Sequence, residues 1–209
     1  MEFDFPARLY CITDTEFCAL PLYDQVQRML EGGARIIQLR AKNISPEDLE
    51  SEALRLRHLT RDHHATFIIN DYPELCEKVD ADGVHLGQND LCSRTFHEIR
   101  EIIGGRILGV SCSEMKHALA AKEGGADYLG VGPIYGTVTK GDAGPPVGIG
   151  LVREIHSAVG LPIVAIGGID YSNMSCVLEA GASSVAMISA ILNAPDISFQ
   201  IRKYLELIG

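Results

Sequence analysis

EGGARIIQLR (31–40), VDADGVHLG (79–87), EGGADYLGVG (123–132) and EAGASSVAMIS (179–189) are four versions of one phrase. Each ends a helical pattern on small residues, usually glycine, and passes straight into an apolar strand-like run. A glycine at that place suits a left-handed residue closing a helix. Working outward, strand-like runs recur along the whole chain: RLYCIT (8–13), ARIIQLR (34–40), TFIIN (66–70), GVHLG (83–87), ILGVS (107–111), DYLGVG (127–132), PIVAIGG (162–168) and SVAMIS (184–189). The four phrases feed the second, fourth, sixth and eighth of these. Helical patterns lie between them. In SPEDLESEALRLRHLTRDHH (45–64), Ser45 reads as N-cap and Pro46 as first helical residue, with Leu49, Ala53, Leu56 and Leu59 at helical spacing. A fourfold recurrence over eight strand–helix units predicts an α/β fold of one kind, a single (βα)8 TIM barrel spanning residues 1–209. At 209 residues the chain allots about 26 to each unit, the compact end of that architecture. An open parallel sheet with fewer strands is the alternative, and it requires several of the runs to be something else.

Composition narrows the function classes. A net charge of −10 argues against nonspecific nucleic-acid binding, because such a chain on average repels phosphate backbones. An anionic small ligand needs cations gathered locally. No apolar run reaches the length of a membrane span, and MEFDFPARLYCITD (1–14) lacks the basic start and apolar core of a signal peptide. Six scattered cysteines form no C-x-x-C pair, which speaks against a zinc site or a disulfide framework and for reduced thiols in the cytoplasm.

Barrels of this kind place their chemistry at the C-terminal ends of the strands. The second strand ends QLRAK (38–42). Alternation puts Gln38, Arg40 and Lys42 on one face, toward the barrel mouth, and Leu39 and Ala41 on the other. The third and fourth strands end IIND (68–71) and HLGQND (85–90), bringing Asn70, Asp71 and Asp90 to the same rim. Two converging carboxylates repel unless a cation joins them, and Mg2+ is commonly held by one or two carboxylates plus substrate phosphates. Helix N-capping is the plainer use of either aspartate. His85 reads as a pocket wall, and His63 and His64 as solvent-facing residues closing a helix. After the sixth strand, GPIYGTVTKGDAGPP (132–146) is long for a strand-to-helix connection. Its Thr137, Thr139 and Lys140 suit a phosphate or pyrophosphate, and its glycines suit a lid that closes on ligand. AIGGI (165–169) and MISAI (187–191) set Gly167–Gly168 and Ile188–Ser189 where barrels often bind a phosphate through backbone amides. Two anion sites are therefore expected, one cationic and metal-ready, one neutral.

QLRAK, ND (70–71), GVHLGQND (83–90), GVS (109–111), GPIYGTVTK (132–140), AIGGI and MISAI, in this order over nearly the whole chain, resemble the thiamine phosphate synthases, also called thiamine-phosphate pyrophosphorylases. The resemblance implies a transferase condensing 4-amino-2-methyl-5-(diphosphomethyl)pyrimidine with 4-methyl-5-(2-phosphoethyl)thiazole, giving thiamine phosphate and pyrophosphate. It implies that Gln38, Leu39, Arg40, Ala41, Lys42, Asn70, Ser111 and Lys140 contact the pyrimidine pyrophosphate. It implies that Asp71 and Asp90 bind Mg2+, and that Thr137, Thr139, Gly168, Ile188 and Ser189 contact the thiazole phosphate. Arg40, Lys42 and Lys140 then stabilise the departing pyrophosphate in a dissociative substitution, with no general base required. The partners implied are these two small molecules, with no nucleic acid and no membrane; a homo-oligomer is compatible with the reading. Two positions depart from the family pattern. Ala41 stands where the family usually has glutamate, and Ser113 where it often has histidine. A thiazole tautomerase of the same fold, which uses a histidine near that second place, is the alternative enzyme. A non-catalytic phosphate-binding barrel is the alternative outside catalysis.

Overall fold

The computed structural model describes residues 5–137, 139 and 144–209. Eight strands, β1 (Leu9–Ile12), β2 (Ile36–Leu39), β3 (Thr66–Asn70), β4 (Gly83–Leu86), β5 (Ile107–Cys112), β6 (Tyr128–Val131), β7 (Ile163–Ile166) and β8 (Ser184–Met187), pair in parallel in sequence order. β8 closes on β1 through Leu9↔Val185, Tyr10↔Ala186 and Cys11↔Met187, so the sheet is a closed barrel and not an open one. Around it run α1 (Leu22–Glu31), α2 (Pro46–Asp62), α3 (Pro73–Lys78), α4 (Gln88–Leu91), α5 (Phe96–Ile103), α6 (Met115–Glu123), α7 (Gly148–Val159), α8 (Met174–Glu179), α9 (Ser189–Leu192) and α10 (Ile197–Ile208). The short α4 and α9 follow β4 and β8 directly and sit at the barrel mouth.

The fourfold phrase has a structural cause. Gly33, Asp80, Gly125 and Gly181 all have positive φ, at 102°, 52°, 76° and 106°, and turn each helix back into its strand. Glycine meets no steric penalty there, and aspartate is among the few other residues that tolerate the left-handed region. Two residues later, in three of the four phrases, a side chain ties the even strand to the odd strand before it. Asp82 accepts from the Phe67 N–H at 2.7 Å and Asp127 from the Leu108 N–H at 2.8 Å. Each carboxylate also receives an arginine from a helix, Arg57 at 2.8 Å and Arg100 at 2.8 Å. Ser183 takes the Ile163 N–H at 3.4 Å in the same register.

α2 starts as its sequence predicts: Ser45 Oγ accepts from the Asp48 N–H at 3.1 Å and Pro46 opens the helix. Its buried stripe is Leu49, Ala53, Leu56 and Thr60. Thr60 takes the place expected for Leu59, which is only partly buried. Thr60 can lie there because its hydroxyl donates to the Arg57 carbonyl at 3.1 Å.

β2 stops at Leu39, yet the chain stays extended beyond it. Thr13 Oγ1 accepts from the Arg40 N–H at 3.0 Å and donates to the Arg40 carbonyl at 2.9 Å. Thr15 does the same for Lys42, with both contacts at 2.8 Å. Two hydroxyls thus continue the ladder where backbone pairing ends, preserving side-chain alternation into the mouth.

Candidate active site

The C-terminal ends of the strands surround a cavity of about 510 Å3. One wall is charged. Arg40, Lys42, Asn70, Asp71 and Asp90 line it, with Ser111 and His85 toward the floor. Leu39 is buried among core residues and Ala41 is packed partly buried against them; neither lines the cavity. Gln38 shares the face of Arg40 but sits one layer deeper. It is only 2% exposed, and its Nε2 donates to the Tyr10 hydroxyl at 2.9 Å. Two residues of strand span about 7 Å, which separates the mouth from the layer below it. Gln38 lines a smaller hollow below the level of Arg40 and Lys42, together with His85 and Ser111, which also line the cavity.

Arg40 is held by a residue the sequence reading passed over. The Arg40 guanidinium pairs with the Asp14 carboxylate, and the two residues are 6% and 0% exposed. Asp14 also accepts the N–H groups of Glu16 at 2.7 Å and Phe17 at 3.0 Å. A buried carboxylate satisfied on several sides fixes the guanidinium plane beside it. Asp14 closes CITD (11–14), so the strand-end rule applied to the first strand would have found it.

Asp71 and Asp90 line the same cavity. Neither is an N-cap: Tyr72 precedes α3 and Gly87 precedes α4. Asp90 nonetheless has a capping role, since its Oδ2 accepts from the Gly87 N–H at 2.8 Å. Asp71 is held in the left-handed region at φ 68°, donates its N–H to the His85 carbonyl at 2.9 Å, and stands 3.9 Å from Lys42 Nζ. No group of three or more His, Cys, Asp or Glu side chains converges among the described residues. Two hard carboxylates, with further positions left to phosphate oxygens and water, are a donor set that Mg2+ accepts.

The opposite wall carries no charge. Gly167 and Gly168 end β7 with φ 100° and 64°, and Ile188, Ser189 and Ala190 follow β8. Only glycine fits the first two places. A Cβ on Gly167 would lie 2.6 Å from Pro133, and one on Gly168 would lie 2.7 Å from the Gly136 carbonyl oxygen. In α9 the Ile191 and Leu192 N–H groups donate to the Ile188 carbonyl at 3.1 and 2.9 Å, whereas those of Ser189 and Ala190 precede the first intrahelical acceptor. The loop after β6 reaches this wall: Thr137 and Thr139 line the cavity, and Thr139 Oγ1 is 2.9 Å from Ser189 Oγ. Lys140, expected to be the loop's cation, lies outside the described residues, as do Val138 and residues 141–143 of the expected lid. Ser113 lies beyond Cys112 at the end of β5, exposed, its Oγ 3.4 Å from His117 Nδ1.

A closed (βα)8 barrel with one charged, carboxylate-bearing wall and one uncharged, glycine-bearing wall around a cavity at the strand C-termini has the layout of a barrel enzyme for small molecules. A family model described as thiamine monophosphate synthase matches residues 9–191. The chain belongs to that family. A thiamine-phosphate synthase of Methanospirillum hungatei is 46% identical over 202 residues, covering 95% of this chain and 96% of that one. A thiamine-phosphate synthase of Chloroflexus aurantiacus is 42% identical, covering 97% and 93%. The solved thiamine phosphate pyrophosphorylase of Pyrococcus furiosus superposes with a TM-score of 0.88 at 36% identity, over 96% of this chain and 95% of that one. No helix of the described residues is long and apolar enough to cross a membrane, and all six cysteines are unpaired.

Proposed function

We propose that the cavity joins the pyrimidine methyl diphosphate to the thiazole phosphate, forming thiamine phosphate and pyrophosphate as a transferase. The observation that carries the reading is the pairing of two unlike anion walls across one cavity of about 510 Å3. A diphosphate leaving group calls for the charged wall, and a monophosphate that only anchors its substrate calls for the neutral one.

The carbon–oxygen bond of the diphosphomethyl group breaks, and its electron pair leaves with pyrophosphate. Electrons of the aminopyrimidine delocalise the cation left behind. The thiazole nitrogen then supplies the pair for the new carbon–nitrogen bond, so no proton has to move at the reacting atoms. Arg40, oriented by Asp14, and Lys42 face the leaving oxygens, and Lys140 is assigned to the same group. Asn70 and Ser111 give it hydrogen bonds, with Gln38 supporting from below. Asp71 and Asp90 would hold Mg2+, whose chemistry there is neutralisation of pyrophosphate charge. Thr137, Thr139, Gly168, Ile188 and Ser189 anchor the thiazole phosphate. Leu39 and Ala41 contribute backbone and packing only. Catalysis is then positioning and electrostatic stabilisation. A cytoplasmic setting goes with the six unpaired thiols.

Pyrophosphate release with both substrates and Mg2+ tests the proposal. Release that requires both substrates, matched by thiamine phosphate formation, is expected. Isomerisation of a thiazole carboxylate without the pyrimidine would point to the tautomerase, and binding without turnover to a non-catalytic barrel.

A further inference from the structure

Beneath the cavity a line of polar side chains crosses the barrel interior. Gln38 Nε2 donates to Tyr10 OH at 2.9 Å. Tyr10 OH is 2.8 Å from Tyr128 OH, which is 2.9 Å from His85 Nδ1. His85 Nε2 is 2.9 Å from Ser111 Oγ, which lines the cavity. The barrel makes room for this line. A Cβ on Gly109 would lie 2.1 Å from the Tyr128 ring, and one on Gly130 would lie 2.7 Å from His85 Cε1. Phe5 packs beneath, its ring centroid 5.3 Å from that of Tyr128.

Counting protons gives the line a direction. Each tyrosine has one hydroxyl proton. Burial pushes both hydroxyls far above the ordinary tyrosine range, so both keep that proton. Tyr10 already accepts from Gln38, so its own proton goes to Tyr128, its other hydrogen-bond partner among the described residues. The Tyr128 proton then goes to His85 Nδ1. His85 therefore carries its proton on Nε2 and donates it to Ser111. In the reverse direction Tyr10 would accept from both neighbours, leaving a buried hydroxyl proton with no acceptor, which folded proteins avoid.

We propose that Tyr128, with Tyr10 behind it, is a positioning residue that holds His85 as the neutral Nε2–H tautomer and so turns the Ser111 hydroxyl into a dedicated hydrogen-bond donor to the pyrimidine pyrophosphate substrate. Ser111 Oγ accepts from His85, and its one proton is left to face the ligand. The inference rests on the proposed function for the identity of that ligand, but the tautomer is a property of the free protein.

Two measurements decide it. In protein labelled with 15N-histidine, a two-bond proton–nitrogen correlation spectrum reads each ring's tautomer directly; His85 is assigned among the seven histidines by its loss in His85→Asn. A protonated Nε2 and bare Nδ1 at His85 are expected. A protonated Nδ1 overturns the proposal, whatever activity the protein has. The second is a double-mutant cycle. Tyr128→Phe removes one hydroxyl and keeps the ring, and should lower kcat about tenfold, the value of one misdirected hydrogen bond, with KM little changed. In a Ser111→Ala background the same substitution should cost less than roughly twofold. An equal loss in both backgrounds would make Tyr128 a packing residue and overturn the proposal. Failure of pyrophosphate release in the unaltered protein would count against the proposed function and leave the tautomer result standing.

Discussion

The two walls of the mouth prepare for anions by opposite means. Between β2 and β4 the chain uses side chains: Arg40 and Lys42 supply positive charge, and Asp71 and Asp90 supply two carboxylates. Each needs support from elsewhere. Asp14 pairs with Arg40, Thr13 and Thr15 fix the backbone of Arg40 and Lys42, and Gly87 binds Asp90. The wall at the ends of β7 and β8 has no charged side chain, only backbone and the hydroxyls of Ser189 and Thr139, and its support is steric. Gly167 and Gly168 hold conformations and approaches that a Cβ would forbid. A charged wall can stabilise charge that grows as a bond breaks; a wall of amides suits a phosphate whose charge does not change. Under the proposed function the charged wall serves the chemistry and the neutral wall serves anchoring, so substitutions on the two should separate kcat from KM.

The sharpest break should come at Asp90. Asp90→Asn keeps an oxygen for the Gly87 N–H but removes the charge, and should lower kcat by roughly a hundredfold or more, with the circular dichroism spectrum unchanged. Chelation of divalent cations should do the same to the unaltered protein. Turnover persisting in EDTA would remove the metal from the charged wall. Next comes Arg40→Lys, chosen because Arg40→Ala would strand a buried Asp14. Lysine keeps the charge and loses the planar fork, so kcat should fall about ten- to a hundredfold. On the neutral wall, Gly168→Ala forces a side chain into φ 64° and to 2.7 Å from Gly136 O. It should raise KM for the thiazole phosphate about tenfold, from a strain on the order of 1–3 kcal/mol, and leave kcat at saturation nearly intact. A Gly168→Ala protein with normal KM and reduced kcat would reverse the roles of the two walls. The smallest effect belongs to Ala41→Glu. Residue 41 lies off the cavity, so turnover should stay within about twofold despite two neighbours that matter. A large loss would mean that side chains at 41 reach the ligand.

Most of the fold and much of the charged wall could be read locally. The four phrases announce the helix-to-strand turns because left-handed residues and strand-tying side chains repeat at fixed offsets from each strand, and that periodicity survives in the sequence whatever lies across the barrel. Strand alternation likewise separated Arg40 and Lys42 from Leu39 and Ala41, since it depends only on neighbouring peptides. Depth was not legible: Gln38 has the right face and the wrong layer for the mouth, because layer depends on how the strands stagger as the barrel closes. Pairing across the structure was not legible either. Asp14 meets Arg40 from 26 residues away, and Tyr10 meets Tyr128 from 118 residues away. Tyr10 and Tyr128 look in the sequence like ordinary strand aromatics, and His85 like a wall. The chain by itself determined eight strand–helix units, the strand ends that carry charge and the glycines that close the helices. Closure alone decided which buried polar groups face one another, because a polar group with no partner inside a barrel must find one across it, and the partner is set by geometry in three dimensions rather than by spacing along the chain.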